Sequence, residues 1–285
     1  MTEPDDAFRR YLAAKRTVDD RALDRRVLDR FVAELPDDPA VLEVGAGIGT
    51  MVERLDDWGL LPGGLRYTAV DLNERNVDAA RDRLRQRGFR EDEEGDALAR
   101  EDIVVEFVAD DAVAFAHDAD RRWDAVVGHA VLDLFDLDDA LPALRSAVPG
   151  GLCYFSVVFD GETGFEPPLA LDDDVLARYH EHLDDGQGSS RAGRRLLARL
   201  PDHGVRVLVA GGSDWVVHPR DGGYPADEAY FLRYLLRTIG GALADEPTLD
   251  DAALEDWVET RNRQVAAGEL VAVVHNLDVL GRVEN

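Results

Sequence analysis

Cysteine occurs once, methionine twice and lysine once in the 285 residues of this chain. A single Cys153 excludes an intramolecular disulfide and a cysteine-built zinc centre. Set in the apolar run 152–159, it reads as a core side chain, and no metal site is expected. No apolar stretch approaches the roughly 20 residues that a spanning helix needs, and the acidic, polar start of the chain is unlike a secretory leader. A cytoplasmic protein without a membrane partner is therefore expected. Positive charge is also scarce, with 32 basic residues against 59 acidic ones, a net charge of −27, and arginine at every basic position except Lys15. Phosphate backbones are held by clustered Lys and Arg, so nucleic acid is not expected as a partner. The arginine-rich stretches 81–90 and 191–199 fall on helical patterns and read as solvated helix surface.

What is present is alternation. Val27, Leu28, Phe31, Val32 and Leu35 recur at helical spacing and stop at Pro36. Apolar runs at 41–45, 65–72, 103–108, 124–128 and 152–159 read as strands. Between them lie helical patterns carrying Met51, Val52, Leu55 and Trp58, then Val77, Ala80 and Leu84 behind an Asn73 cap, then 137–148. The acidic run 91–96 reads as a solvated loop. This β-α-β-α order implies an α/β fold, a doubly wound and mostly parallel sheet with helices on both faces. Ligands of such sheets bind beyond the carboxyl ends of the strands, where strand order reverses. After residue 160 the alternation breaks: helices are expected at 172–183, around Leu196 to Leu200, at 227–243 and at 249–267. Strands are expected at 205–217, interrupted at Gly211-Gly212, and from Glu269 to about Leu280. The chain divides into an N-terminal helical segment (1–37), a core (38–160), and a remainder (161–285) that completes the same sheet and carries inserted helices.

The informative motif is Glu43-Val44-Gly45-Ala46-Gly47-Ile48-Gly49-Thr50. A phosphate-cradling P-loop would need Lys followed by Ser or Thr, and no such pair is there. The dinucleotide fingerprint would need glycine or alanine at position 50, where Thr50 stands. Three alternate glycines let the backbone pass close to a ligand without Cβ interference. A carboxylate two residues before them suits a ligand bearing ammonium and sulfonium charge better than a pyrophosphate.

On these residues the sequence resembles the class I S-adenosylmethionine-dependent methyltransferases over residues 38–160. That resemblance implies a Rossmann-like methyltransferase sheet and S-adenosylmethionine as cofactor. It also implies a role for each matching position. Gly45, Ala46, Gly47 and Gly49 would form the loop around the methionine and ribose portion, and Glu43 would order that loop or meet the amino group through water. Asp71 would accept the ribose hydroxyl hydrogens, Leu72 would lie against adenine, and Asp111-Ala112, with Asp110 as the alternative register, would meet the adenine amino group. His129, followed by Ala130 and Val131, falls where cofactor and acceptor pockets meet. The composition in turn resembles that of proteins from extreme halophiles, in which molar salt shortens the Debye length to about 3 Å and relieves self-repulsion.

Methyl transfer from a sulfonium releases a neutral leaving group, so positioning and exclusion of water are the main demands. A general base is needed only for an acceptor that carries a proton. His129, Asp133 and, if the first helix folds over the site, Tyr11 are the candidate bases. Lys15 is a candidate for holding a carboxylate of the cofactor or of an acidic substrate. The helices after 160, with Tyr230, Tyr234 and Trp257, and the stretch Gly212-Ser213-Asp214-Trp215 are expected to form a lid over a small-molecule acceptor. The alternatives are an RNA or protein methyltransferase, which would need a basic face or an added module, and a non-catalytic cofactor-binding protein. An NAD-dependent oxidoreductase is disfavoured by Thr50.

Overall fold

The computed structural model describes residues 4–92, 95 and 97–284. Two helices, α1 (Pro4–Ala22) and α2 (Arg25–Glu34), lead into β1 (Ala40–Val44), α3 (Thr50–Asp57), β2 (Arg66–Asp71) and α4 (Glu74–Gln86). Next come β3 (Arg90–Glu91), β4 (Ala97–Arg100), β5 (Ile103–Ala109), α5 (Ala112–Asp118), β6 (Ala125–His129), a 3-10 turn (Leu132–Leu134) and α6 (Leu137–Ala147). The chain closes with β7 (Leu152–Glu166), α7 (Asp172–Asp184), α8 (Ala192–Arg199), β8 (Val205–Gly212), β9 (Trp215–Val217), α9 (Glu228–Ala242), α10 (Asp251–Ala267) and β10 (Val271–Val283).

Strand order is β3-β4-β5-β2-β1-β6-β7-β10-β8, with β9 pairing the first part of β10. The five central strands β5, β2, β1, β6 and β7 are parallel, and β10 runs antiparallel between β7 and β8. Strands buried on both faces lose the polar-apolar alternation of a half-exposed sheet, hence the unbroken run Val41-Leu42-Glu43-Val44. Val41 joins one apolar layer with Phe31, Met51 and Leu84, while Leu42 joins the opposite layer with Leu141, Leu144 and Leu196. Each such fully buried side chain stabilises the fold by about 1.5–3 kcal/mol. A third apolar cluster, built from α1, α7, α9 and α10 with Phe165 and Ala272, sits apart from these two layers. Among the described residues no helix is long and apolar enough to cross a membrane.

The expected Asn73 cap is present, its Oδ1 accepting from the Arg75 N–H at 3.0 Å. Three expectations need correction. The run 91–96 is not simply a loop: Glu91 belongs to an antiparallel β3–β4 pairing beside β5, and Glu93, Glu94 and Asp96 lie outside the described residues. The apolar run after Pro149 extends through the polar stretch Asp160 to Glu166, because β10 supplies a hydrogen-bonding edge along its length. Likewise β10 continues to Val283, past the expected end near Leu280.

Candidate functional site

Strand order reverses between β1 and β6, and the loops that leave β1, β2 and β6 meet there. The loop after β1 turns on left-handed glycines. Gly45 has φ +67°, and a Cβ there would stand 2.5 Å from Val131 Cγ2. Gly49 has φ +75° and caps α3 without a side chain. Ala46 donates its N–H to the Val70 carbonyl (2.9 Å), which ties this loop to β2. Asp71 ends β2 half-buried. Its Oδ2 accepts from the Gly47 N–H (2.7 Å), while Oδ1 accepts from the Asn73 N–H and from Asn76 Nδ2 (3.0 Å each). The carboxylate is thereby fixed in orientation, and Asn76 keeps a buried Oδ1 with no partner. Beside it Leu72 is 77% exposed, a bare apolar surface. One strand over, Asp111 caps α5 by accepting from the Val113 and Ala114 N–H groups (3.0 and 2.8 Å). Asp110 accepts from the Asp111 N–H.

Above the loop lies α1, which is where the conditional expectation for Tyr11 placed it. Its Asp19 is a buried hub. Asp19 Oδ2 accepts from Lys15 Nζ (2.6 Å) and lies 3.1 Å from His129 Nε2, and Oδ1 accepts from Trp215 Nε1 (2.9 Å). Burial alone would raise the Asp19 carboxyl, but Lys15, His129 and Arg54 outweigh that and hold it well below the usual carboxylate range. Arg54, fully buried, reaches Asp20 through Nε at 2.5 Å. His129 also pairs through Nδ1 with Ser156 Oγ (2.9 Å). Burial and the nearby Arg54 charge press its pKa down to about 4 despite Asp19. The ring is neutral at pH 7 with both nitrogens engaged, which leaves neither free to take a proton from an acceptor. Glu43 accepts from the Tyr67 hydroxyl (2.9 Å), and burial pushes its pKa up to about 8. A carboxyl that is neutral at pH 7 orders the loop better than it meets an ammonium group.

A cavity of about 400 Å³ runs from Gly45, Gly47, Asp71 and Asn76 past His129 to an aromatic end under α1, α7 and α9. Tyr11 stacks on Tyr234 with ring centroids 4.2 Å apart and on Phe231 at 5.7 Å. Asp133, on the 3-10 turn, lines this end half-buried; burial raises its carboxyl above the ordinary range, opposed by its own backbone N–H and by Lys15. Val157 contributes from a left-handed position in β7 (φ +53°), a strained conformation for a β-branched residue. Its N–H is held by Asp278 Oδ1 at 2.7 Å.

A family model described as a methyltransferase domain matches residues 11–204. The chain belongs to this methyltransferase family. No curated protein matches it. A Bacillus halodurans protein described as a methyltransferase has a similar fold, with a TM-score of 0.54 at 13% identity over 92% of this chain and 98% of that one. Geranyl diphosphate C-methyltransferase from Streptomyces coelicolor, solved with S-adenosyl-L-homocysteine, gives 0.47 at 12% identity over 90% and 77% of the two chains. A cyclopropane synthase from Mycobacterium tuberculosis gives 0.49 at 10% identity over 90% and 82%.

Within this methyltransferase the cavity wall includes the expected Tyr11, Lys15, Glu43, Gly45, Ala46, Gly47, Asp71, His129 and Asp133. Gly49, Leu72, Asp111 and Ala112 lie outside it. Gly49 is the helix cap, Leu72 and Asp111 are exposed on the rim, and Ala112 is packed beneath that rim. Of the aromatic residues expected in a lid, Trp215 and Tyr234 reach the cavity. Trp257 instead donates to Asp172, linking α10 to the start of α7, and Tyr230 donates to the Ala7 carbonyl. Sequence reasoning missed Asp19, Asn76, Tyr179 and Asn276, all on the wall. Asn76 carries a usable signal, a polar side chain on the same helical face as Ala80. Asn276 carries another, a polar residue inside an apolar strand. Tyr179 carries none.

Proposed function

We propose that this enzyme binds S-adenosylmethionine along the Gly45–Asp71 end of the cavity and methylates a small molecule held at the aromatic end. The observation that carries the reading is continuity: one cavity joins the glycine loop to an aromatic chamber roofed by α1 and α9. The residues present suit the cofactor. Gly45 and Gly47 present bare backbone to the cavity, Asn76 Oδ1 is an orphaned buried acceptor, and Leu72 is an uncovered apolar platform beside an oriented carboxylate. Asp71 would hold the ribose, Leu72 and the Asp110–Asp111 rim the adenine, and the loop from Gly45 to Gly47 the amino-acid portion. When bound, the cofactor supplies an electrophilic methyl group. The chain's own contribution is to seat the acceptor, exclude water beneath α1, and keep Glu43 and His129 uncharged so that no fixed charge of theirs competes at the transfer point. In this reading residues 38–160 serve the cofactor and lend Asp133 to the acceptor chamber, which 1–37 with 161–285 otherwise build.

The working medium proposed is a salt-rich cytoplasm, on the strength of the net charge of −27. Calorimetry in molar KCl with S-adenosylmethionine, S-adenosylhomocysteine and NAD tests the assignment, followed by a metabolite screen for turnover. Micromolar binding of the first two and none of NAD is expected. Failure of both adenosyl ligands to bind overturns it.

A further inference from the structure

We infer that the methyl acceptor is an amine on an apolar body, its nitrogen seated between the Asp133 carboxylate and the tyrosine rings of α1, α7 and α9. This rests on the methyltransferase reading and goes beyond it to the chemistry of the acceptor.

The argument begins with what the chamber's polar groups still have to offer. Among the described residues the Asp133 carboxyl has no hydrogen-bond partner but its own backbone N–H, although the charge of Lys15 also acts on it, and it opens into the cavity. Tyr11 and Tyr179 face it closely enough that its charge raises the cost of ionising either phenol. Among the described residues no hydrogen-bond partner meets the hydroxyls of Tyr11, Tyr179 and Tyr234, which line the same cavity. Asn276, 1% exposed, spends its Nδ2 on the Val274 carbonyl (3.0 Å) and leaves Oδ1 without a partner on the same wall. A carboxylate, an amide oxygen and the faces of stacked phenols all attract N–H groups and positive charge.

The cations argue the same way by being occupied. Lys15, the basic residue on the wall, is bonded to Asp19 at 2.6 Å and lies over the Trp215 ring. Among the described residues on this wall a phosphorylated or carboxylated acceptor would find Lys15 already neutralised by Asp19, and its charge would face Asp133. An amine finds a counter-charge there and rings beyond it.

The chemistry balances. An ammonium acceptor passes one proton to Asp133, whose burial-raised carboxyl takes it more readily than an exposed aspartate would. The freed nitrogen lone pair forms the new N–C bond to the methyl carbon as the C–S bond breaks. The bonding pair stays on sulfur, which leaves neutral, and the product nitrogen carries the positive charge. Asp133 then returns its proton to water.

The test is calorimetry on the whole chain saturated with S-adenosylhomocysteine. Matched amine and alcohol pairs are titrated: phenethylamine with phenethyl alcohol, tryptamine with tryptophol, hexylamine with hexanol. At least one amine should bind about tenfold or more tighter than its alcohol. Asp133→Asn, isosteric at a side chain without a protein partner beyond its own backbone, should bring that pair within about twofold while S-adenosylhomocysteine binds as before. With S-adenosylmethionine, mass spectrometry should find the N-methylated amine and no methyl ether. If no amine outbinds its alcohol, or if Asp133→Asn keeps the preference, the inference is overturned with the methyltransferase reading intact. If S-adenosylhomocysteine itself does not bind, the cofactor reading fails first and the inference falls with it.

Discussion

At the scale of single residues, the site is governed by carboxyl groups whose surroundings set them to different tasks. Asp71 is oriented by three N–H groups, and in the proposed cofactor site it is the acceptor for the ribose hydroxyls. Replacing it with alanine removes charged hydrogen bonds worth about 1.5–3 kcal/mol each, so calorimetry on Asp71→Ala should show S-adenosylmethionine affinity reduced at least about tenfold. Unchanged affinity would remove Asp71 from the cofactor site. Glu43 behaves oppositely, because burial raises its pKa to about 8. A carboxyl raised in the folded state binds its proton more tightly there than in the unfolded chain. Its contribution is complete below the ordinary range near 4.5 and is lost as pH rises through about 8. Glu43→Gln keeps an acceptor for Tyr67 without the titration. Its melting temperature should gain on the parent between about pH 6 and pH 9, and a constant difference across that range would mean Glu43 is ionised in the fold.

At the scale of elements, the decisive placement is that of α1, and it rests on ion pairing with a distant helix. Glu228, fully buried at the start of α9, accepts from Arg21 through both oxygens (2.5 and 2.9 Å) and from the Thr17 hydroxyl (2.9 Å). Because Arg21 is about one-third exposed and can be solvated once its partner is gone, losing these charged hydrogen bonds should cost about 1.5–3 kcal/mol in all. Glu228→Ala should lower the urea midpoint accordingly, and a loss under about 1 kcal/mol would show that aromatic stacking alone holds the roof. Elements built on local pattern were legible in the sequence: the five parallel strands, the Asn73-capped helix and the helices of the second half. So was the position of the glycine loop and Asp71 beside one cavity, since the pattern that marks them is confined to a few consecutive positions. Less legible were elements that exist through their partners. The polar end of β7 is a strand because β10 lies beside it, and the β3–β4 pairing is too short and too charged for an alternation to stand out. The Asp19 hub was hidden for the same reason: its ligands come from positions 15, 129 and 215, and no spacing connects them.

At the scale of the whole molecule, positive charge is used internally and the acidic surplus remains. Glu53 alone gathers Arg16, Arg83 and Arg87, while the net charge stays at −27. Repulsion among the remaining acids reaches about 10 Å at 0.1 M salt and about 3 Å at 1 M. Scanning calorimetry should therefore find the melting temperature higher in 2 M than in 0.1 M KCl by roughly 5 °C or more. Equal values would show that the acidic surface carries no such cost. The roof has a further consequence for how the protein comes into being. Helix α1 leaves the ribosome well before Trp215 and Glu228, which seat it, are made. Until then its Tyr11 face has nowhere to dock, so a nascent chain stopped before β9 should hold an open cleft. The chamber takes shape only once α9 has followed β9 out.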